Sequence, residues 1–142
     1  MTRGILFLTL GFVAAVLIAC ATATPSAPSA PSAIEYTRTG GIAGFNDRLT
    51  IDVKGHAVLS RRNQKVEFNV SDANLEQLYA AFQTARFGSI PENSMPKPVV
   101  PDGLIYALTY QGHTVKTSDG QVPPMLEPVL AALNRIVDSQ GK

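Results

Sequence analysis

Residues 49–70 read LTIDVKGHAVLSRRNQKVEFNV. Leu49, Ile51 and Val53 alternate with Thr50, Asp52 and Lys54, which gives one apolar and one polar face, the period of a half-buried strand. Lys54 and Gly55 supply a tight turn into a second run over 57–61. A third run sets Val66, Phe68 and Val70 against Lys65, Glu67 and Asn69, and follows the polar tip formed by Arg61, Arg62, Asn63, Gln64 and Lys65. Strands joined by connections this short pair antiparallel, because parallel neighbours need a crossover of a dozen residues or more.

Upstream, residues 34–39 are rich in β-formers and end in Gly40 and Gly41, which predicts a strand followed by a turn. Downstream, Ser71 is placed to cap a helix whose first-turn Asp72 complements the dipole and whose Leu75 can be stapled by Val70. Leu75, Leu78, Tyr79, Phe82 and Ala85 recur at helical spacing, and Gly88 sits where that helix is expected to stop. A proline-stiffened stretch over 88–103, with Pro91, Pro96, Pro98 and Pro101, is expected to be irregular. Leu104, Tyr106, Leu108 and Tyr110 then alternate again, Gln111 and Gly112 turn the chain, and 113–117 returns as a second hairpin. A last helix carries Leu126, Val129, Leu130, Leu133, Ile136 and Val137 on one side, with Pro128 tolerable only in its first turn. The expected fold is α+β: a two-layer arrangement of a mostly antiparallel sheet of about four to six strands under two amphipathic helices.

This single globular domain, 34–142, is preceded by a segment of different character. Arg3, an apolar run of roughly 16 residues and the small Ala19 have the order of an export signal, too short to span a bilayer comfortably. The only cysteine of the chain, Cys20, closes the run Leu17, Ile18, Ala19, Cys20, and this placement resembles a bacterial lipoprotein processing site. An ordinary signal cut near Ala19 to Ala23, or an uncleaved anchor, are the alternatives. On the lipoprotein reading 1–19 is a signal peptide and 20–33 is a lipidated cysteine with an Ala/Ser/Pro-rich tether. Such a tether reaches up to roughly 40 Å if its prolines keep it extended. The partner implied is a membrane, through lipid on Cys20. The protein would then be exported and held on the extracytoplasmic side, and Ala21, in place of an inner-membrane retention aspartate, leans toward an outer membrane in a cell with two.

The chain has 12 Lys and Arg against 11 Asp and Glu, a balance that becomes even once Arg3 leaves with the leader. Neutrality with one short basic cluster argues against a nucleic-acid partner. His56 and His113 lack a second ligand at metal-binding spacing, and no nucleophile elbow, phosphate-binding glycine loop or paired-carboxylate motif is present. No catalytic residue, metal ligand or cofactor is therefore assigned, and a non-enzyme is expected.

The candidate partner-binding loop comprises Gly40, Gly41, Ile42, Gly44 and Phe45. Its glycines permit close backbone approach, whereas Ile42 and Phe45 are apolar side chains that a simple hydrophilic turn would not need. Residues 38–45 read RTGGIAGF, 85–91 ARFGSIP and 102–110 DGLIYALTY. Together with the leucine-rich terminal helix these stretches resemble the emfourin family, protein inhibitors of thermolysin-like metalloproteases. Relative to the family's compact pattern, the chain carries an extra strand around 61–70 and the N-terminal leader. The resemblance implies an inhibitor that fills the cleft of a secreted or envelope metalloprotease, with Ile42 and Phe45 as anchors. The competing expectation folds both side chains into the core and leaves an envelope structural or protein-interaction lipoprotein without protease inhibition.

Overall fold

The computed structural model describes residues 32–98 and 101–140. The segment expected to be a signal peptide, Cys20 and most of the expected tether lie outside these described residues. A seven-stranded sheet carries two 13-residue helices. The strands are β1 (Ser32–Gly40), β2 (Phe45–Asp52), β3 (His56–Arg61), β4 (Gln64–Asn69), β5 (Asn93–Ser94), β6 (Leu104–Tyr110) and β7 (His113–Ser118), and the helices are α1 (Asp72–Thr84) and α2 (Glu127–Ser139). The order across the sheet is β4-β3-β2-β1-β6-β7-β5, antiparallel except for the short β5–β7 pair. The expected α+β class therefore holds with more strands than expected.

Strand parity decides the layers. Opposite residues pair as Tyr36 with Leu49 and Leu108, Leu49 with Leu59, and Leu108 with Val115, so all five project to one face. Each of these is essentially fully buried, together with Leu78 and Phe82 of α1 and Val129 and Leu133 of α2. Burying a side chain of this size contributes about 1.5–3 kcal/mol, so this face is where the stability of the domain is concentrated. The opposite face, with Thr37, Thr50, Val58 and Thr109, is only half covered.

Local details follow from identifiable residues. Ser71 caps α1, its Oγ accepting from the Asn74 N–H at 3.4 Å. Asp52 organises the next turn: its Oδ1 accepts from the N–H groups of Lys54 and His56 at 2.8 and 2.9 Å. Val53 is lifted into that turn and is largely exposed, so the apolar alternation of β2 ends at Ile51 rather than continuing. The first helix also stops earlier than Gly88 suggests. Ala85 closes it, and Arg86 takes the left-handed conformation (φ 49°) normally left to glycine. Within the proline-rich stretch, Asn93 and Ser94 add a strand to the β7 edge, where the Lys116 N–H also donates to the Glu92 C=O at 2.7 Å.

Candidate functional site

The loop between β1 and β2 is a closed turn. The Gly44 N–H donates to the Gly41 C=O at 2.9 Å, and the Gly41 N–H donates to the Gly103 C=O at 3.2 Å, tying the turn to the segment entering β6. Gly40 is obligatory here: its φ is +87°, and a Cβ at this position would lie 2.7 Å from the Gly103 carbonyl oxygen. At the tip Ile42 is 97% exposed. Phe45 behaves differently. It is 37% exposed, and the Arg38 guanidinium lies 4.5 Å from its ring centroid, so the ring is held by a cation rather than by the core.

Of the two expected anchors, then, Ile42 protrudes fully and Phe45 forms part of the base on which the loop stands. A third support comes from the β3–β4 hairpin. Its turn residue Arg62 donates from Nη2 to the Ala43 C=O at 2.8 Å, and its own N–H reaches the Asn46 C=O at 3.4 Å. The β3–β4 turn therefore places a donor against the loop.

Under the loop lies a buried ionic network absent from the sequence reading. Asp47, 1% exposed, accepts at Oδ2 from Arg38 Nε and Nη2 at 3.1 and 2.7 Å and at Oδ1 from Arg61 Nε at 2.9 Å. Arg38 reaches on to Asp138 Oδ1 at 3.0 Å and Asn134 Oδ1 at 3.1 Å, and the Tyr36 hydroxyl donates to the same Asn134 oxygen at 2.7 Å. Arg61 Nη2 donates to the Val137 C=O at 3.2 Å. The network links β1, β2, β3 and the last two turns of α2. Charge-assisted bonds of this kind are about twice as strong as neutral ones and fix direction as well as distance.

Burial alone would depress the Arg38 pKa, but its bonds to Asp47 and Asp138 outweigh that and raise it, so the guanidinium remains a permanent cation. Burial also pushes the Tyr36 phenol well above the ordinary tyrosine range, opposed by the nearby Arg38. Between the loop and the hairpin tip a groove of about 640 Å³ opens, lined by Ala43, Phe45, Asn46, Arg62 and Asn63 among others.

The basic cluster of the sequence divides in three. Arg61 is drawn inward to Asp47, Arg62 braces the loop, and Lys65 stays exposed, pairing with Glu67 at 2.7 Å. The histidines sit apart. His56 is exposed, its Nε2 3.9 Å from Glu67, while His113 Nε2 is 2.8 Å from the Ile90 carbonyl with its ring edge-on to Phe87. Among the described residues no group of three or more His, Cys, Asp or Glu is disposed to hold a metal ion. Among them too, no helix is long and apolar enough to cross a membrane. Parity was the signal that could have revealed the network: Arg38, Asp47 and Arg61 occupy core-facing positions of their strands, and Asn134 and Asp138 are four apart on α2. No protein family and no curated protein matches the chain.

Proposed function

We propose that this chain is a non-enzymatic, lipid-anchored protein of the cell envelope that inhibits a thermolysin-like metalloprotease through the loop over 40–45. The observation that supports the reading best is an isoleucine 97% exposed at the tip of a turn whose backbone is hydrogen-bonded on both flanks. An exposed aliphatic side chain on a mobile loop would lose ordering entropy on binding. On a braced turn most of that cost is met during folding.

The geometry also suggests why such a loop would plug a cleft instead of being cut. Proteases act on extended segments, whereas the bond from Gly44 to Gly41 keeps 41–44 folded back on itself. Ile42 would enter an apolar specificity pocket while its peptide bonds stay out of extended alignment with the catalytic centre. The loop brings no carboxylate, imidazole or thiol to the protease metal, so exclusion of substrate, and not chelation, is the mode of inhibition.

Titration of the protein against several thermolysin-like proteases is the test. Inhibition should weaken by at least about 100-fold on Ile42→Asp, since a charge replaces the desolvated anchor. Unchanged proteolysis at micromolar inhibitor across such enzymes would overturn the reading and favour an envelope interaction module. Anchoring is tested separately: Cys20→Ser should abolish lipid modification and detergent-phase partitioning, and a fully processed, detergent-partitioning variant would refute it.

A further inference from the structure

The two margins of the sheet are unlike. β5 is two residues long and continues into the proline-rich stretch, whereas β4 is a six-residue outermost strand whose residues are all exposed except the half-buried Phe68. Arg61 and Gln64 flank a two-residue turn and pair with each other. In such hairpins the flanking pair exchanges both ladder bonds, so Gln64, Val66 and Phe68 direct their amides and carbonyls toward β3. The main-chain groups of Lys65, Glu67 and Asn69 consequently point outward, and among the described residues no other element bonds to them.

An open margin of this kind accepts another strand. Its side chains specify which. An antiparallel pairing of β4 with β4 of a second copy must place outward-bonding residues opposite one another, which permits registers centred on any residue from 65 to 69, and those centred on Phe68 or Asn69 bring no opposite charges together. Centring on Lys65 opposes two lysines, and centring on Glu67 opposes two glutamates. Centring on Val66 sets Lys65 against Glu67 of the other copy twice over, on the same face, with four backbone hydrogen bonds between them. Val66, 36% exposed in the single chain, would meet its own equivalent across the two-fold.

We propose that β4 is a self-association edge through which two copies of this chain join their sheets antiparallel about Val66. The inference stands independently of protease inhibition. The contact is short, so the dimer is weak, formed at high protein concentration or where copies share a surface.

Two measurements on the full chain in detergent solution decide it. In the Val66-centred register the two equivalent positions form a non-hydrogen-bonded pair with Cα atoms about 4.5 Å apart, within the range a disulfide spans. Val66→Cys should therefore give a covalent dimer on mild oxidation, while Ser60→Cys, exposed one strand inward, should stay at the background set by Cys20 in the parent chain. In sedimentation, Lys65→Glu and Glu67→Lys should each weaken association by about tenfold, because like charges then face each other at both symmetry-related positions. Mixing these two variants should restore association, since each supplies the charge the other lacks. Cross-linking of Ser60→Cys as efficient as that of Val66→Cys, or a mixture no more associated than its components, would overturn the proposal.

Discussion

Where β1 turns into β2, the helix-covered face of the sheet is closed by ions: Arg38, Asp47, Arg61 and Asp138. At the opposite end, where β6 turns into β7, it is closed by rings. Phe82 stacks on Tyr110 with centroids 4.3 Å apart, Phe87 meets Phe82 edge-on at 5.0 Å, and Tyr79 lies 6.1 Å from Tyr110. Both seal the same core. Rings, however, attract over a broad range of geometries, while a carboxylate shared by two guanidiniums is satisfied in only one. The protruding loop stands over the directional end, and the difference teaches that this end positions while the other merely fills.

Substitution should separate the two roles. The largest effect is expected for Asp47→Ala, which leaves Arg38 and Arg61 without their shared buried carboxylate and should cost about 3–5 kcal/mol in denaturant unfolding. At the ring end Phe82→Leu keeps an apolar side chain of similar bulk and should cost no more than about 1.5 kcal/mol. A reversed order would break the contrast.

Tyr36→Phe comes next. It removes the donor to Asn134 and should destabilise by about 1 kcal/mol at neutral pH. Its pH dependence is more specific. Because the folded state holds the Tyr36 proton above the ordinary value of 10.0, the unfolded chain binds fewer protons in alkali, and stability must fall as pH rises beyond about 10. Unfolding curves of Tyr36→Phe should show a shallower decline over that window. Part of the slope should persist, because burial also raises the pKa of Tyr106 and Tyr79.

The smallest stability change is expected for Arg62→Ala, within about 0.5 kcal/mol for an exposed turn residue. Its value lies in the second readout. If Arg62 braces the loop, the variant should inhibit a susceptible protease about tenfold less well with its unfolding midpoint nearly unchanged, a loss of roughly one charged hydrogen bond.

Much of this architecture could be read from alternation and capping. Leu49 and Ile51, Ala57 and Leu59, and Leu104 through Tyr110 announce strands, and Ser71 announces α1, because these signals are local. The ionic network was hidden by residue type. Arg38, Asp47 and Arg61 sit at inward positions, but charged residues read as solvent-facing until their partners, many residues away in sequence, are known. For the same reason Arg61, Arg62 and Lys65 read as one basic cluster, although Arg61 and Lys65 face opposite sides of the sheet and Arg62 lies in the turn between them. β5 leaves no trace in the sequence because two residues carry no period, and α1 ends before Gly88 because Arg86 adopts the left-handed backbone conformation that composition assigns to glycine. In the candidate loop, composition pointed to Gly40, Gly41, Ile42, Gly44 and Phe45, but Gly103, Arg38 and Arg62, which hold the loop in place, come from other parts of the chain.

The described fold begins with β1, and β1 is the central strand of the sheet, bonded along its length to β2 on one side and β6 on the other. A pull transmitted from the N-terminal side would therefore act along both ladders together. Their hydrogen bonds would be sheared in parallel instead of being unzipped one at a time, so a globule moored by that end is attached at its mechanically toughest strand.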